Sequence, residues 1–97
     1  MRRTEVLKFL ADHRERLQRE YRVKSLDLFG SVARDEATAN SDVDLLVEFS
    51  QPTGLFGMFR LQDFLEDQLG CRVDLGTPES LKPRLRHQIL AEAIHGC

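Results

Sequence analysis

The stretch Leu28–Phe49, LFGSVARDEATANSDVDLLVEF, ends one apolar run at Gly30-Ser31 and opens the next with Asp42-Val43-Asp44. Leu26 and Leu28 alternate with Ser25 and Asp27, and Val43, Leu45 and Val47 alternate with more polar neighbours, so both runs are predicted to be strands. Between them, SVARDEATANS predicts one short helical turn and then a polar loop. A packed core has no use for a tight turn and two like charges placed so close together.

Outward from this centre, Val6, Leu7, Leu10, Leu17 and Tyr21 recur at helical spacing and predict one amphipathic helix from Arg3 to Tyr21. After Pro52 and Gly54, the residues Leu55, Met58, Phe59, Leu61, Phe64, Leu65 and Leu69 predict a helix too broadly apolar to be only half buried, with Gly70 as its stop. CRVDLGT predicts a third short strand with Val73 and Leu75 on one face and Arg72 and Asp74 on the other. TPES offers a Thr cap followed by Pro, and Leu85, Ile89, Leu90, Ala93 and Ile94 predict a last amphipathic helix. The order α, β, short α, β, α, β, α implies an α/β (α+β) fold, a small mixed sheet with helices over one face and the polar strand positions on the other.

With 97 residues, the chain is expected to form one domain, residues 1–97. Its 41% apolar and 31% charged composition is that of an ordinary globular protein, and sixteen acidic against fourteen basic side chains give no general affinity for nucleic acid. The basic clusters Arg2–Arg22 and Lys82–His87 are read as solvated helix faces. Two cysteines, Cys71 and Cys97, are too few for a disulfide scaffold and sit at no zinc-like spacing. No run has the length of a membrane span or the pattern of a secretory signal, so a cytoplasmic location is expected.

Asp42 and Asp44, two apart on a strand, point to the same face with Cα atoms roughly 6.6 Å apart. Hard oxygen ligands without a nearby His or Cys suit Mg²⁺ or Mn²⁺ rather than zinc. An acidic pair at the exposed start of a strand is also a common surface feature, and Asp74 can instead pair with Arg72 or with a base on the last helix. If all three acids share a face without a metal, at least one is expected to titrate high. Gly30 permits a backbone conformation closed to other residues, and Ser31 adds a hydroxyl and an N–H where a helical turn begins, the parts of an anion cradle as well as of a routine turn. Arg34, one turn on, can meet a phosphate or pair with Asp35 or Glu36.

The ordered combination of Gly30-Ser31, ten intervening residues, Asp42-Val43-Asp44 and a later Asp74 on a strand resembles the nucleotidyltransferase superfamily whose best known member is DNA polymerase β. The stretch LFGSVARDEATANSDVDLLVEF looks like the minimal nucleotidyltransferases, or MNT domains, and the resemblance covers nearly the whole chain. It implies that Gly30 and Ser31, with Arg34, hold a nucleoside triphosphate, that Asp42 and Asp44 bind two Mg²⁺, and that Asp74 completes the metal site or serves as general base. His13, His87 and His95 match nothing in that pattern and are read as surface or packing residues.

Domains of this kind commonly pair with a HEPN-domain ribonuclease, as antitoxin and toxin. The resemblance therefore implies Mg²⁺-dependent transfer of AMP from ATP to a tyrosine of a HEPN toxin. Larger relatives carry further domains for base and acceptor, so the acceptor is expected to be bound by a partner or a second copy; the apolar positions of the Phe56–Leu69 and Leu85–Ile94 helices are candidate docking surfaces, although core packing is the expected role of most of them. Two rivals stand beside this reading: a binding-only antitoxin, and an adenylyltransferase acting on a small molecule.

Overall fold

The computed structural model describes residues 1–38 and 40–97. Ala39, in the predicted polar loop, lies outside the described residues. The elements are α1 (Arg3–Asp12), α2 (Arg14–Tyr21), β1 (Val23–Phe29), α3 (Gly30–Ala33), β2 (Val43–Phe49), α4 (Gly54–Leu69), β3 (Val73–Gly76), a 3₁₀ turn (Pro78–Ser80), α5 (Pro83–Glu92) and β4 (Ile94–His95). The strands form one mixed sheet in the order β3-β2-β1-β4, in which β1 runs antiparallel to β2 and β4 while β2 and β3 are parallel.

The expected α/β (α+β) architecture is present, and the two central strands read from the sequence lie at its middle. On one face of the sheet, Leu26 and Leu28 of β1 and Val43, Leu45 and Val47 of β2 are buried with Val6 and Leu10 of α1, Leu17 of α2, and Leu61 and Leu65 of α4. Strand alternation sends Asp27, Phe29, Asp44, Leu46, Glu48 and Asp74 to the opposite face. That face is not wholly polar: Leu46 is only 3% exposed, while the 3₁₀ turn packs against β2 and α5 against β1 and α3.

Four expectations need correction. The N-terminal helix is two helices broken at His13, whose φ of −105° and ψ of 10° leave the helical basin. The imidazole explains the break: its Nδ1 lies 2.9 Å from the Phe9 carbonyl oxygen and its ring stacks on Phe9 with centroids 4.1 Å apart, a local side-chain contact that competes with continued winding. Of the surface or packing roles expected for it, His13 takes the packing one.

α4 is less buried than its composition suggests, because its first turns overhang the sheet: Leu55, Phe56 and Phe59 are 75, 78 and 59% exposed, and burial begins at Leu61. Gly70 does stop it, in the left-handed conformation at φ 70°. The Thr77-Pro78 signal starts the 3₁₀ turn rather than α5, with Ser80 N–H donating to Thr77 Oγ1 at 3.3 Å, and α5 begins at Pro83 with its apolar residues half-buried at most. Finally, Ile94 leaves the predicted helix and pairs with Leu28 in β4, a two-residue strand too short to show alternation. Gly96 then passes so close to Leu10 and the Leu26 carbonyl that a side chain would not fit.

Candidate active site

The site is assembled by strand register. Phe29 at the end of β1 lies opposite Asp44 of β2, so the turn that follows Phe29 is delivered directly to that carboxylate. Gly30 makes the turn with φ +76°, in the left-handed region as its sequence position suggested, and an added Cβ would overlap Asp44 Oδ2. Only glycine lets main chain and carboxylate come this close. Ser31, half-buried, is the second residue of α3, whose first N–H groups have no partner within so short a helix.

On the other side of β2, the parallel register places Asp74 beside Asp44, so the two point to one face from neighbouring strands. Asp42, exposed, precedes β2 by one residue. The expected electrostatic consequence is present: the Asp44 carboxyl is pushed up to about 6, first by burial and then by the charges of Asp74 and Asp42, with a hydrogen bond to Asp74 acting the same way and Arg34 opposing them. Asp44 therefore feels both neighbouring acids, Asp74 more strongly than Asp42.

Among the described residues, no three His, Cys, Asp or Glu side chains stand close enough to cage a metal ion as they are arranged. The parallel register sets Asp44 and Asp74 side by side. The pair's donors are all oxygen, it repels itself electrostatically, and a gap that only glycine can border adjoins it, so the residues present fit a hard divalent cation and not zinc.

Arg34 is near enough to Asp44 to lower its proton affinity, but its guanidinium is engaged elsewhere, with Glu36 at 3.2 Å and Glu92 of α5 at 3.3 Å. The Glu36 contact is the local pairing that the sequence allowed. Glu92, fifty-eight residues away, carried no sequence signal. Another long-range pair, His95 Nδ1 with Asp27 Oδ1 at 3.0 Å, joins β4 to β1, and His95 is exposed as expected.

A polar groove of about 410 Å³ borders Asp42, lined also by Asn40, Ser41, Gly70, Cys71 and Arg72. A more apolar groove of about 510 Å³, between Phe49, Met58, Leu75 and Thr77, opens at the far ends of β2 and β3, away from the carboxylates.

The model of the nucleotidyltransferase domain family matches residues 10–95, almost all of the elements described. The chain belongs to that family. Family membership accounts for the fold and agrees with a polar sheet face bordered by a Gly-Ser turn. A curated relative, the protein adenylyltransferase MntA of Thermococcus cleftensis, is 36% identical over 91 residues, 94% of this chain and 92% of the relative. A solved structure provisionally described as a minimal nucleotidyltransferase is 44% identical, covers 91% of this chain and 93% of its own, and superposes with a TM-score of 0.74. A chain from the complex of a tri-AMPylated HEPN toxin with an MNT antitoxin from Shewanella oneidensis shares the fold at a TM-score of 0.64 and 19% identity, over 94% of this chain and 71% of its own. No helix among the described residues is long and apolar enough to cross a membrane.

Proposed function

We propose that this chain is a Mg²⁺-dependent adenylyltransferase that moves AMP from ATP to a tyrosine hydroxyl of a HEPN-domain ribonuclease, and so acts as its antitoxin in the cytoplasm. The observation that carries the reading is the register match of Asp44 and Asp74 beside a turn that only glycine can make. The adenylyltransferase name of the Thermococcus relative supports AMP as the transferred group, and the AMPylated toxin in the Shewanella complex supports a HEPN toxin as the acceptor protein.

Asp42, Asp44 and Asp74 would hold two Mg²⁺, with Mn²⁺ able to substitute, and the bound ions supply neutralisation of charge on the attacking and leaving oxygens. The chain's own groups do the rest. Gly30 and the main-chain N–H groups that follow it, with the Ser31 hydroxyl, bind the triphosphate. Arg34 exchanges its carboxylate partners for a phosphate. The tyrosine oxygen attacks the α-phosphorus in line, the bond from that phosphorus to the bridging oxygen breaks, and pyrophosphate leaves with the electron pair. Where Asp74 is not itself a ligand of the ions, the hydroxyl proton passes to its carboxylate, which faces solvent and can release it.

The test is to incubate the protein with Mg²⁺, labelled ATP and a cognate HEPN protein, and to read the partner's mass. One or more AMP units on a tyrosine are expected. The engagement of Arg34 by Glu36 and Glu92 favours a second reading, an antitoxin that only covers its toxin. Neutralisation of the toxin without any AMP transfer would select that reading.

A further inference from the structure

We propose that Gln62 and Glu66 of α4 are positioning residues for the carboxylate pair: they act as the missing neighbour of β3 and fix which face Asp74 occupies. This rests on the adenylyltransferase reading above. β3 has four residues and lies at the edge of the sheet, with β2 on one side only. Its inner side is tied at Arg72, whose carbonyl accepts from Val43 N–H at 2.9 Å. Val73, the next residue, turns its backbone groups the other way. There its N–H donates to Glu66 Oε2 at 2.9 Å, and its carbonyl accepts from Gln62 Nε2 at 2.9 Å.

Gln62 and Glu66 are one helical turn apart on the same face of α4, so a single rigid element grips both polar groups of one residue. The grip falls on the residue immediately before Asp74. A slip of one residue would turn Asp74 into the core and Val73 out of it, and in a strand of four residues the clamp adds to the burial of Val73 and the pairing with β2 in resisting it. Val73 is buried while Asp74 is exposed, so the clamp selects between these two arrangements. Protection of an exposed sheet edge alone would need only a charge or a Pro on the strand. Two matched side-chain hydrogen bonds, bracketing the residue next to a site carboxylate, specify register as well.

The experiment compares Glu66→Leu, Gln62→Leu, the isosteric Gln62→Glu, which removes the donor, and Glu66→Gln, which keeps an acceptor. Because misplacing a reacting group by about 1 Å can cost on the order of 10²-fold in rate, kcat for AMP transfer is expected to fall by about ten- to a hundredfold in the first three. KM for ATP should stay within roughly twofold, since the triphosphate turn lies on β1 and α3 and is not gripped by α4. Glu66→Gln should restore most of kcat. Amide hydrogen exchange at Val73 should quicken in Glu66→Leu and remain slow in Glu66→Gln.

Unchanged kcat in Gln62→Glu and Glu66→Leu, or a loss shared equally by Glu66→Gln, would overturn the proposal. If a Leu variant fails to fold, Gln62→Glu and Glu66→Gln decide it. If the wild type transfers no AMP at all, the parent reading fails by itself, and Val73 exchange still decides the clamp: equal protection in wild type, Glu66→Leu, Gln62→Glu and Glu66→Gln would refute it.

Discussion

The two faces of β2 are built from the same seven residues to opposite ends. Val43, Leu45 and Val47 are wholly buried among side chains from α1, α2, α4 and β1, whereas Asp44 and Glu48 point away, with Leu46 alone buried between them. One face contributes stability through apolar burial. The other holds like charges together, which an isolated fold gains nothing from. Stability and chemistry are thus separated by a single peptide, and substitutions at neighbouring positions should act on different observables.

The largest effect on stability belongs to the core face. Leu45→Ala leaves a cavity at the centre of the sheet and should destabilise the protein by about 2 to 5 kcal/mol in denaturant unfolding. A shift below 1 kcal/mol would mean that the two faces are not so differently packed.

Gly30→Ala follows, because a side chain at φ +76° is strained and its Cβ overlaps the Asp44 carboxylate. A loss of about 1 to 2 kcal/mol from backbone strain is expected, with weakened ATP binding by calorimetry. Ordinary ATP affinity in a folded Gly30→Ala protein would return the turn to a purely structural role.

Asp44→Asn should do the reverse. The folded carboxyl is raised from 3.8 to about 6, so the folded state holds a proton that the unfolded chain has lost in that interval. Its stabilising contribution is full below about pH 4 and disappears as pH rises through 6. At pH 7, in the absence of divalent cations, Asp44→Asn should be the more stable protein by roughly 1 to 2 kcal/mol, an amount already reduced for partial solvent screening. The difference between the two proteins should vanish at acid pH. A wild type more stable than Asp44→Asn at pH 7 would contradict the charge repulsion assigned to this face.

The smallest effect is expected at the rim. Arg34 and Glu92 are linked across the surface, and Glu92→Gln should change stability by less than about 1 kcal/mol. If Arg34 is recruited by the triphosphate, the same substitution should leave ATP binding intact or tighten it slightly, as read by titration calorimetry.

How much of this was legible beforehand follows the range over which each signal acts. The central strands, the glycine turn and the polar position of Asp44 are local patterns of alternation and conformational preference, and the sequence carries them openly. The local pattern assigns Asp74 to a strand face, and only the family resemblance brings it to Asp44, because parallel register is fixed by α4 and the core rather than by residues 73–76. The break at His13 depends on a ring stacking on Phe9, a contact that apolar periodicity does not encode. β4 was hidden because two residues have no period, and the exposed start of α4 because composition reports how apolar a helix is, not how far it overhangs its sheet. Likewise, Arg34 could be placed one turn after Ser31, yet its distant partner Glu92 comes only from the packing of α5.

The separation of the two faces is tested most directly by AMP transfer in wild type and Asp44→Asn, measured with a cognate HEPN protein, Mg²⁺ and labelled ATP at neutral pH, alongside the thermal midpoint of each protein without metal. The account predicts that transfer in Asp44→Asn falls by on the order of a thousandfold or more, comparable to loss of a principal electrostatic contributor, while its midpoint is equal to or above that of wild type. Transfer retained within tenfold, in a protein that folds normally, would contradict the assignment of chemistry to this face of the sheet.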